Sequence, residues 1–166
     1  MAFTKVLIAN RGEIACRIMA TAHDLGYRTV AIYSEADSGA PHVQMADQAV
    51  CIGPAPVAES YLNVAAILDA AARTGADAVH PGYGFLAENA DFAKSCADAG
   101  LTFIGPSPQA IELMGNKRLA KLRMEEAEVP CVPGYSGADQ DADVLAAAGE
   151  RIGFPLMVKA ASGGGG

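Results

Sequence analysis

The chain has 166 residues, of which 51% are apolar and 19% are charged, and its formal net charge is −7. This length and composition predict one globular domain with part of a second, and they exclude a disordered chain. The acidic balance argues against a nucleic-acid partner, since neutralising phosphates requires an excess of Lys and Arg. Residues 99–111, the longest uncharged stretch, are too few to span a membrane. The N-terminus resembles neither a signal nor a transit peptide, so the predicted location is cytoplasmic.

Five short, nearly continuous apolar runs predict buried parallel strands, and helical patterns lie between them. The fold class is therefore α/β with a parallel five-stranded sheet. Asn10 and Glu13, three residues apart, predict a capping box at the start of the first helix. The predicted strands cover residues 6–9, 30–33, 49–52, 78–80 and 102–104.

The pattern changes after Gly115, where we place a domain boundary. A charged helix is predicted over residues 116–128, and a second helix follows over residues 139–152. A strand over residues 155–159 then leads into four glycines. Because ordering a glycine costs more backbone entropy than ordering any other residue, this run is typical of a loop cut in its middle, and we expect a truncated chain.

The four cysteines and three histidines are scattered along the chain, without a Cys-x-x-Cys pair. This spacing predicts no metal site made of Cys and His within these residues. Apolar neighbours flank each cysteine, so all four are predicted to be buried free thiols. His42 is predicted to lie in a loop and His80 at the end of a strand.

Two segments have a composition suited to ligand binding. The sequence AASGGGG after Lys159 offers backbone N–H groups and one ammonium to phosphate oxygens, although the lysine precedes the glycines, unlike in a P-loop. A flexible glycine linker is the alternative. HPGYGFLAEN, residues 80–89, follows a predicted strand end, where open α/β sheets bind ligands. Its alternative is a turn whose Tyr83 and Phe85 only fill the crevice.

These segments and others, taken in order, resemble the N-terminal part of biotin carboxylase, an ATP-grasp ligase. The resemblance covers essentially the whole chain. It implies that residues 1–114 form the Rossmann-like pre-ATP-grasp domain and that residues 115–166 begin the ATP-grasp, ATP-binding domain. The segments that carry it are KVLIANRGEIACRI, ADQAVCIGPAPVAESYLN, AVHPGYGFLAENADFA, FIGPSPQAIELMGNK, VPCVPGY and FPLMVKAASGGGG.

The activity implied by the resemblance is an ATP-dependent carbon–nitrogen ligation. ATP and bicarbonate form carboxyphosphate, and its carbon dioxide is transferred to biotin on a carrier domain, with Mg²⁺ or Mn²⁺ as the metal. The implied partners are the biotin carboxyl carrier domain, a carboxyltransferase subunit or domain, and further copies of the same subunit. The final acceptor stays open among several acyl-CoA, pyruvate and urea systems.

The resemblance also assigns roles to individual residues. Tyr83 and Gly84 are implied to lie near biotin, and Arg17 resembles a position at the subunit interface, although an amphipathic helix would also expose it. The metal ligands and catalytic residues are expected after residue 166, so these residues alone are expected to be inactive. The alternatives are another ATP-grasp ligase, such as a carbamoyl-phosphate synthetase-like enzyme, and a non-catalytic assembly domain. The implied ATP contacts are Lys117, Lys159, Gly163, Gly164, Gly165 and Gly166.

Overall fold

The structure, a computed structural model, describes residues 3–161. It divides into two compact units, the first ending at Pro108 and the second beginning at Gln109. The assignment of residues 1–114 and 115–166 to two functional domains stays a prediction. None of the helices between residues 3 and 161 is long and apolar enough to cross a membrane.

The first unit contains a five-stranded sheet whose strands are all parallel, in the order β3-β2-β1-β4-β5. The predicted α/β class and all five predicted strands are confirmed. The strands are β1 (Lys5–Ile8), β2 (Arg28–Ser34), β3 (Gln48–Gly53), β4 (Ala78–His80) and β5 (Thr102–Phe103). The helices of this unit are α1 (Gly12–Asp24), α2 (Pro41–Met45), α3 (Val64–Thr74) and α4 (Ala90–Asp98), and short 3₁₀ turns occupy Glu35–Asp37 and Val57–Glu59.

The central strand β1 has both faces buried. Val6 and Ile8 belong to a cluster with Ala15 and Met19 of α1. Leu7 belongs to a larger cluster that also holds side chains of α3 and α4. This alternation follows from the two-residue period of a strand, and burial of both faces explains why residues 6–8 are all apolar.

The start of α1 differs from its prediction. Arg11 is the N-cap residue, and it makes no side-chain capping hydrogen bond. Asn10 and Glu13 form no capping box, because their side chains bond to the segment after β4 instead. By contrast, Asn63 caps α3 through the backbone N–H of Ala66.

The second unit contains helices α6 (Lys117–Glu126) and α7 (Ala142–Ile152), and α5 (Pro108–Gly115) begins at the boundary. Arg118 and Lys121 donate hydrogen bonds to carbonyls of the segment between α6 and α7, which holds that segment against α6. The predicted strand over residues 155–159 is wrong. Within the described residues no strand follows Phe103, so this apolar run lacks a pairing partner, and Met157 and Val158 are exposed.

The predicted burial of the cysteines is confirmed for Cys96 and wrong for the other three. Cys96 is fully buried, and burial raises the pKa of its thiol to about 11. Cys51 is exposed because it alternates with buried Val50 and Ile52 on β3, an edge strand. Cys16 and Cys131 are half-buried.

The histidine at position 42 lies in the short helix α2, where a loop was predicted. Its side chain is fully buried, and Nε2 lies 3.3 Å from the carbonyl oxygen of Ile32. Burial lowers the pKa of His42. His80 ends β4, as predicted.

Candidate functional site

The segment after β4 forms a tight loop at the carboxyl end of the sheet. Nδ1 of His80 accepts a hydrogen bond from the backbone N–H of Gly82 at 3.0 Å. Gly82 and Gly84 have φ angles of +67° and +72°, a conformation that side chains with a Cβ rarely adopt. Two glycines in this loop are thus required by its backbone path.

The two aromatic residues of the loop have different environments. Phe85 is half-buried and stacks on Tyr61, with ring centroids 5.2 Å apart. Tyr83 is 60% exposed, and its hydroxyl donates a hydrogen bond to Oε1 of Glu13 at 2.8 Å. The hydrogen bond to Glu13 raises the pKa of Tyr83. Phe85 is therefore the ring that fills the crevice, whereas the Tyr83 ring is exposed.

Beside Tyr83 lies a mainly apolar groove of about 400 Å³ along α1. Ile14 and Ile18 contribute to its wall. Arg17, also part of the wall, is exposed on α1. Its predicted place at a subunit interface stays a prediction, since an exposed Arg also suits the solvent side of an amphipathic helix.

The structure contains a second cluster of polar side chains that sequence reasoning missed, at the carboxyl end of β2. Arg11 bonds to Asp37 through two nitrogens. The Tyr61 hydroxyl donates to Oδ2 of Asp37 at 2.6 Å and accepts from the backbone N–H of Ser34 at 3.0 Å. The hydrogen bonds from Arg11 hold the pKa of Asp37 at about 2. Since the Tyr61 ring also stacks on Phe85, this cluster supports one side of the loop.

We expect Asp37→Asn to lower the free energy of unfolding at neutral pH by about 1 to 2 kcal/mol. This value is below that of a fully buried pair, because Arg11 is half exposed and solvent screens its charge. The pKa of Asp37 falls from 3.8 to about 2 on folding, so its contribution is complete above pH 3.8 and disappears as the pH falls toward 2. Urea unfolding of both proteins at pH 7, 5 and 3.5 measures this. The stability difference should shrink at pH 3.5, and a pH-independent difference would contradict the assignment. Asp69→Asn, which removes an exposed ion pair with Arg73, is the control.

The second unit brings together parts of the predicted ATP site. Asn116 caps α6 by accepting hydrogen bonds from the backbone N–H groups of Arg118 and Leu119. Lys117 is the first residue of α6, and its backbone N–H donates to the carbonyl of Ala161 at 2.7 Å. This bond joins the start of α6 to the segment that holds exposed Lys159. The predicted contacts Gly163, Gly164, Gly165 and Gly166 lie outside the described residues.

These groups suit an anionic ligand. Two lysines on joined segments provide the positive charge, because the backbone N–H groups at the start of α6 already bond to Ala161 and Asn116. Lysine ammonium groups can stabilise the charge that develops during phosphoryl transfer when they are positioned beforehand.

Sequence reasoning missed the supporting residues around the loop, above all Asn10 and Asp37. A signal for both was present in the sequence, because each is a polar residue soon after a strand that was predicted to be buried. Carboxyl ends of parallel strands meet at one edge of the sheet, so polar residues placed there are expected to meet as well.

Two protein-family models match the chain. The model of the biotin carboxylase N-terminal domain matches residues 2–111. The model of the ATP-binding domain of the carbamoyl-phosphate synthase L chain matches residues 116–166.

Curated relatives include carboxylase subunits. The methylcrotonoyl-CoA carboxylase subunit alpha of Oryza sativa is 60% identical over 165 residues, which are 99% of this chain and 22% of the relative. The propionyl-CoA carboxylase alpha chain of Rattus norvegicus is 54% identical over 164 residues, again 99% of this chain and 22% of the relative. Both are named as mitochondrial proteins. The chain thus spans about a fifth of the length of these relatives.

Solved structures show the same similarity. The biotin carboxylase domain of Hydrogenobacter thermophilus 2-oxoglutarate carboxylase, in complex with MgADP, ADP and bicarbonate, is 51% identical and has a TM-score of 0.94. The match covers 99% of this chain and 36% of that chain. A Campylobacter jejuni biotin carboxylase in complex with β,γ-ATP is 47% identical, also with a TM-score of 0.94, over 98% of this chain and 36% of that one. With its parallel sheet, its loop after β4 and a family match over residues 2–111, the chain belongs to the biotin carboxylase N-terminal domain family.

Proposed function

We propose that these residues are part of the biotin carboxylase component of a biotin-dependent, acyl-CoA-type carboxylase. Such an enzyme is an ATP-dependent carbon–nitrogen ligase that uses bicarbonate to carboxylate biotin on a carrier domain. The observation that carries the proposal is the match over 99% of the chain to a biotin carboxylase domain that binds MgADP and bicarbonate. The match over residues 116–166 to an ATP-binding domain supports the nucleotide part.

In this proposal the two units have different tasks. Exposed Tyr83 and its neighbour Gly84 face biotin in the first unit. Lys117 and Lys159 contact ATP in the second, together with Gly163, Gly164, Gly165 and Gly166. The exposure of Tyr83 and the hydrogen bond from Lys117 to Ala161 support these roles.

Mg²⁺ or Mn²⁺ would supply Lewis-acid stabilisation of the phosphate oxygens when bound. Lysine ammonium groups donate hydrogen bonds and do not ligate metal ions. The two lysines of the proposed ATP site therefore fit the phosphates of the nucleotide, and we assign no metal ligand among them. The metal ligands and catalytic residues belong to other parts of the enzyme, and residues 1–166 alone are expected to be inactive. The proposed partners are a biotin carboxyl carrier domain, a carboxyltransferase subunit or domain, and further copies of the subunit. The proposed location is cytoplasmic.

The test uses a full-length biotin carboxylase that carries these residues, called here the full-length enzyme. We expect ADP release to depend on bicarbonate and free biotin, and labelled bicarbonate to enter acid-labile carboxybiotin. Carbamoyl phosphate formed from ammonia would instead indicate a carbamoyl-phosphate synthetase-like enzyme. An absence of ATP cleavage in the folded full-length enzyme would favour an assembly role.

A further inference from the structure

Asn10 lies two residues after the end of β1 and is 1% exposed. Its Nδ2 donates hydrogen bonds to two carbonyl oxygens of the loop after β4, that of Pro81 at 2.8 Å and that of Tyr83 at 2.9 Å. Its Oδ1 accepts a hydrogen bond from the backbone N–H of Arg11 at 2.9 Å. Both N–H donors and the acceptor of one buried amide are thus engaged, and both donors bind the loop.

The packing between Asn10 and the loop is close. A Cβ added to Gly82 would lie 2.7 Å from Nδ2 of Asn10 and 2.9 Å from Cγ2 of Ile14. Asn10 therefore fills the space directly under Gly82, between the two carbonyls that it binds. The loop backbone cannot move toward α1 without displacing this side chain.

A second contact from the same region fixes the exposed ring. Glu13 lies in the first turn of α1 and accepts the hydrogen bond of the Tyr83 hydroxyl. Asn10 thus holds the loop backbone on either side of Gly82, and Glu13 holds the end of the Tyr83 ring. A capping box would have engaged both side chains with the helix itself, and here they bind the loop instead.

We propose that Asn10 is a positioning residue that holds the loop backbone at Tyr83 in its biotin-facing conformation, and that Glu13 orients the Tyr83 ring. This inference rests on the proposed function, because it gives a role to residues that touch the biotin-facing loop. Asn10 acts through Tyr83 and Gly84, since its buried side chain is covered by the loop.

The main test is Asn10→Asp in the full-length enzyme. This change keeps the size of the side chain and the acceptor for Arg11, and it replaces both N–H donors with an oxygen that repels the carbonyls of Pro81 and Tyr83. We expect the KM for free biotin to rise about ten-fold, because the loop would then hold its biotin-facing conformation only about a tenth of the time, while the KM for ATP stays within about two-fold. Asn63→Ala is the matched control, because it removes an asparagine of the same unit whose side chain caps its own helix α3.

A purely structural role of Asn10 gives a different result. The folded fraction would then fall, and the rates with biotin and with ATP would fall in proportion, as for any destabilised variant. That outcome would overturn the inference. Amide resonances of Gly82 and Gly84 in the 166-residue chain provide an independent readout, and they should shift in Asn10→Asp and not in Asn63→Ala.

Two further variants keep the inference testable if Asn10→Asp does not fold. Glu13→Ala and Tyr83→Phe each remove the same hydrogen bond, so their effects on the biotin KM should not add in the double variant. Full additivity would contradict the role of Glu13.

Tyr83→Ala separates failure of the inference from failure of the proposed site. If it leaves biotin kinetics unchanged, the loop does not face biotin, and both proposals fall. If it raises the biotin KM while Asn10→Asp and Glu13→Ala leave it unchanged, only the positioning roles of Asn10 and Glu13 are overturned.

Discussion

Lys159→Ala in the full-length enzyme is expected to reduce bicarbonate-dependent ATP cleavage by about one to two decades. Lys159 is exposed and stands close in sequence to Ala161, whose carbonyl accepts the hydrogen bond from Lys117. Removing a charge-assisted contact to a phosphate costs about 1.5 to 3 kcal/mol, which corresponds to that loss. Steady-state kinetics with ATP as the varied substrate provides the measurement.

The control for this prediction is Lys94→Ala, which removes another exposed lysine, from α4 in the first unit. It changes the net charge by the same amount without altering the proposed ATP site, so its kinetics should match those of the unchanged enzyme. Equal losses in both variants would indicate a general charge effect. An unchanged ATP KM and kcat in Lys159→Ala would reject the assignment of Lys159.

The second large effect is expected from a comparison of Gly84→Ala with Gly82→Ala. Both glycines have positive φ, so each alanine costs about 1 to 2 kcal/mol of backbone strain. Only at Gly82 would the new Cβ also collide with protein atoms, whereas the space around Gly84 is open. Gly82→Ala should therefore lose about 1 to 3 kcal/mol more stability, as overpacking does.

In the full-length enzyme, Gly84→Ala should impair biotin kinetics by more than its loss of folded fraction explains. A Cβ at Gly84 points into open space beside exposed Tyr83, where biotin is proposed to bind, so we expect Gly84→Ala to raise the biotin KM about ten-fold with little change in ATP affinity. Urea unfolding and the two KM values are measured on each variant. A well-folded Gly84→Ala enzyme with normal biotin kinetics would remove this loop from the biotin site.

Much of the fold could be predicted because it depends on short-range patterns. The buried strands are continuous apolar runs, and the sheet they form has both faces covered by helices, so their sequence alone indicates a parallel sheet. Three helices end just before a glycine that adopts positive φ, which is a common way for a helix to stop. These glycines are Gly26, Gly75 and Gly100. The prediction of a strand over residues 155–159 was wrong because a strand requires a neighbouring strand to pair with, which a local sequence pattern does not reveal.

The candidate site shows the same limit. Tyr83 and Gly84 stand out in the sequence, and the structure adds that Tyr83 is exposed and Gly84 has open space around it. Asn10 and Glu13 had the spacing of a capping box, and sequence could not show that the loop after β4 competes for both side chains. Asp37 and Tyr61 are far apart in sequence, so their hydrogen bond depends on how the sheet assembles.

The position of β1 between β2 and β4 has a consequence for the order of folding. In the sheet, β1, β2 and β3 are neighbours, and they are also close in sequence. These three strands can therefore associate while later residues are still being synthesised. The pairing of Val6 with Ala78 must wait for β4, and the loop that carries Tyr83 follows β4 directly. Asn10 can therefore bind that loop only once β4 has paired with β1. We expect the loop to reach its final conformation in the same step as this pairing.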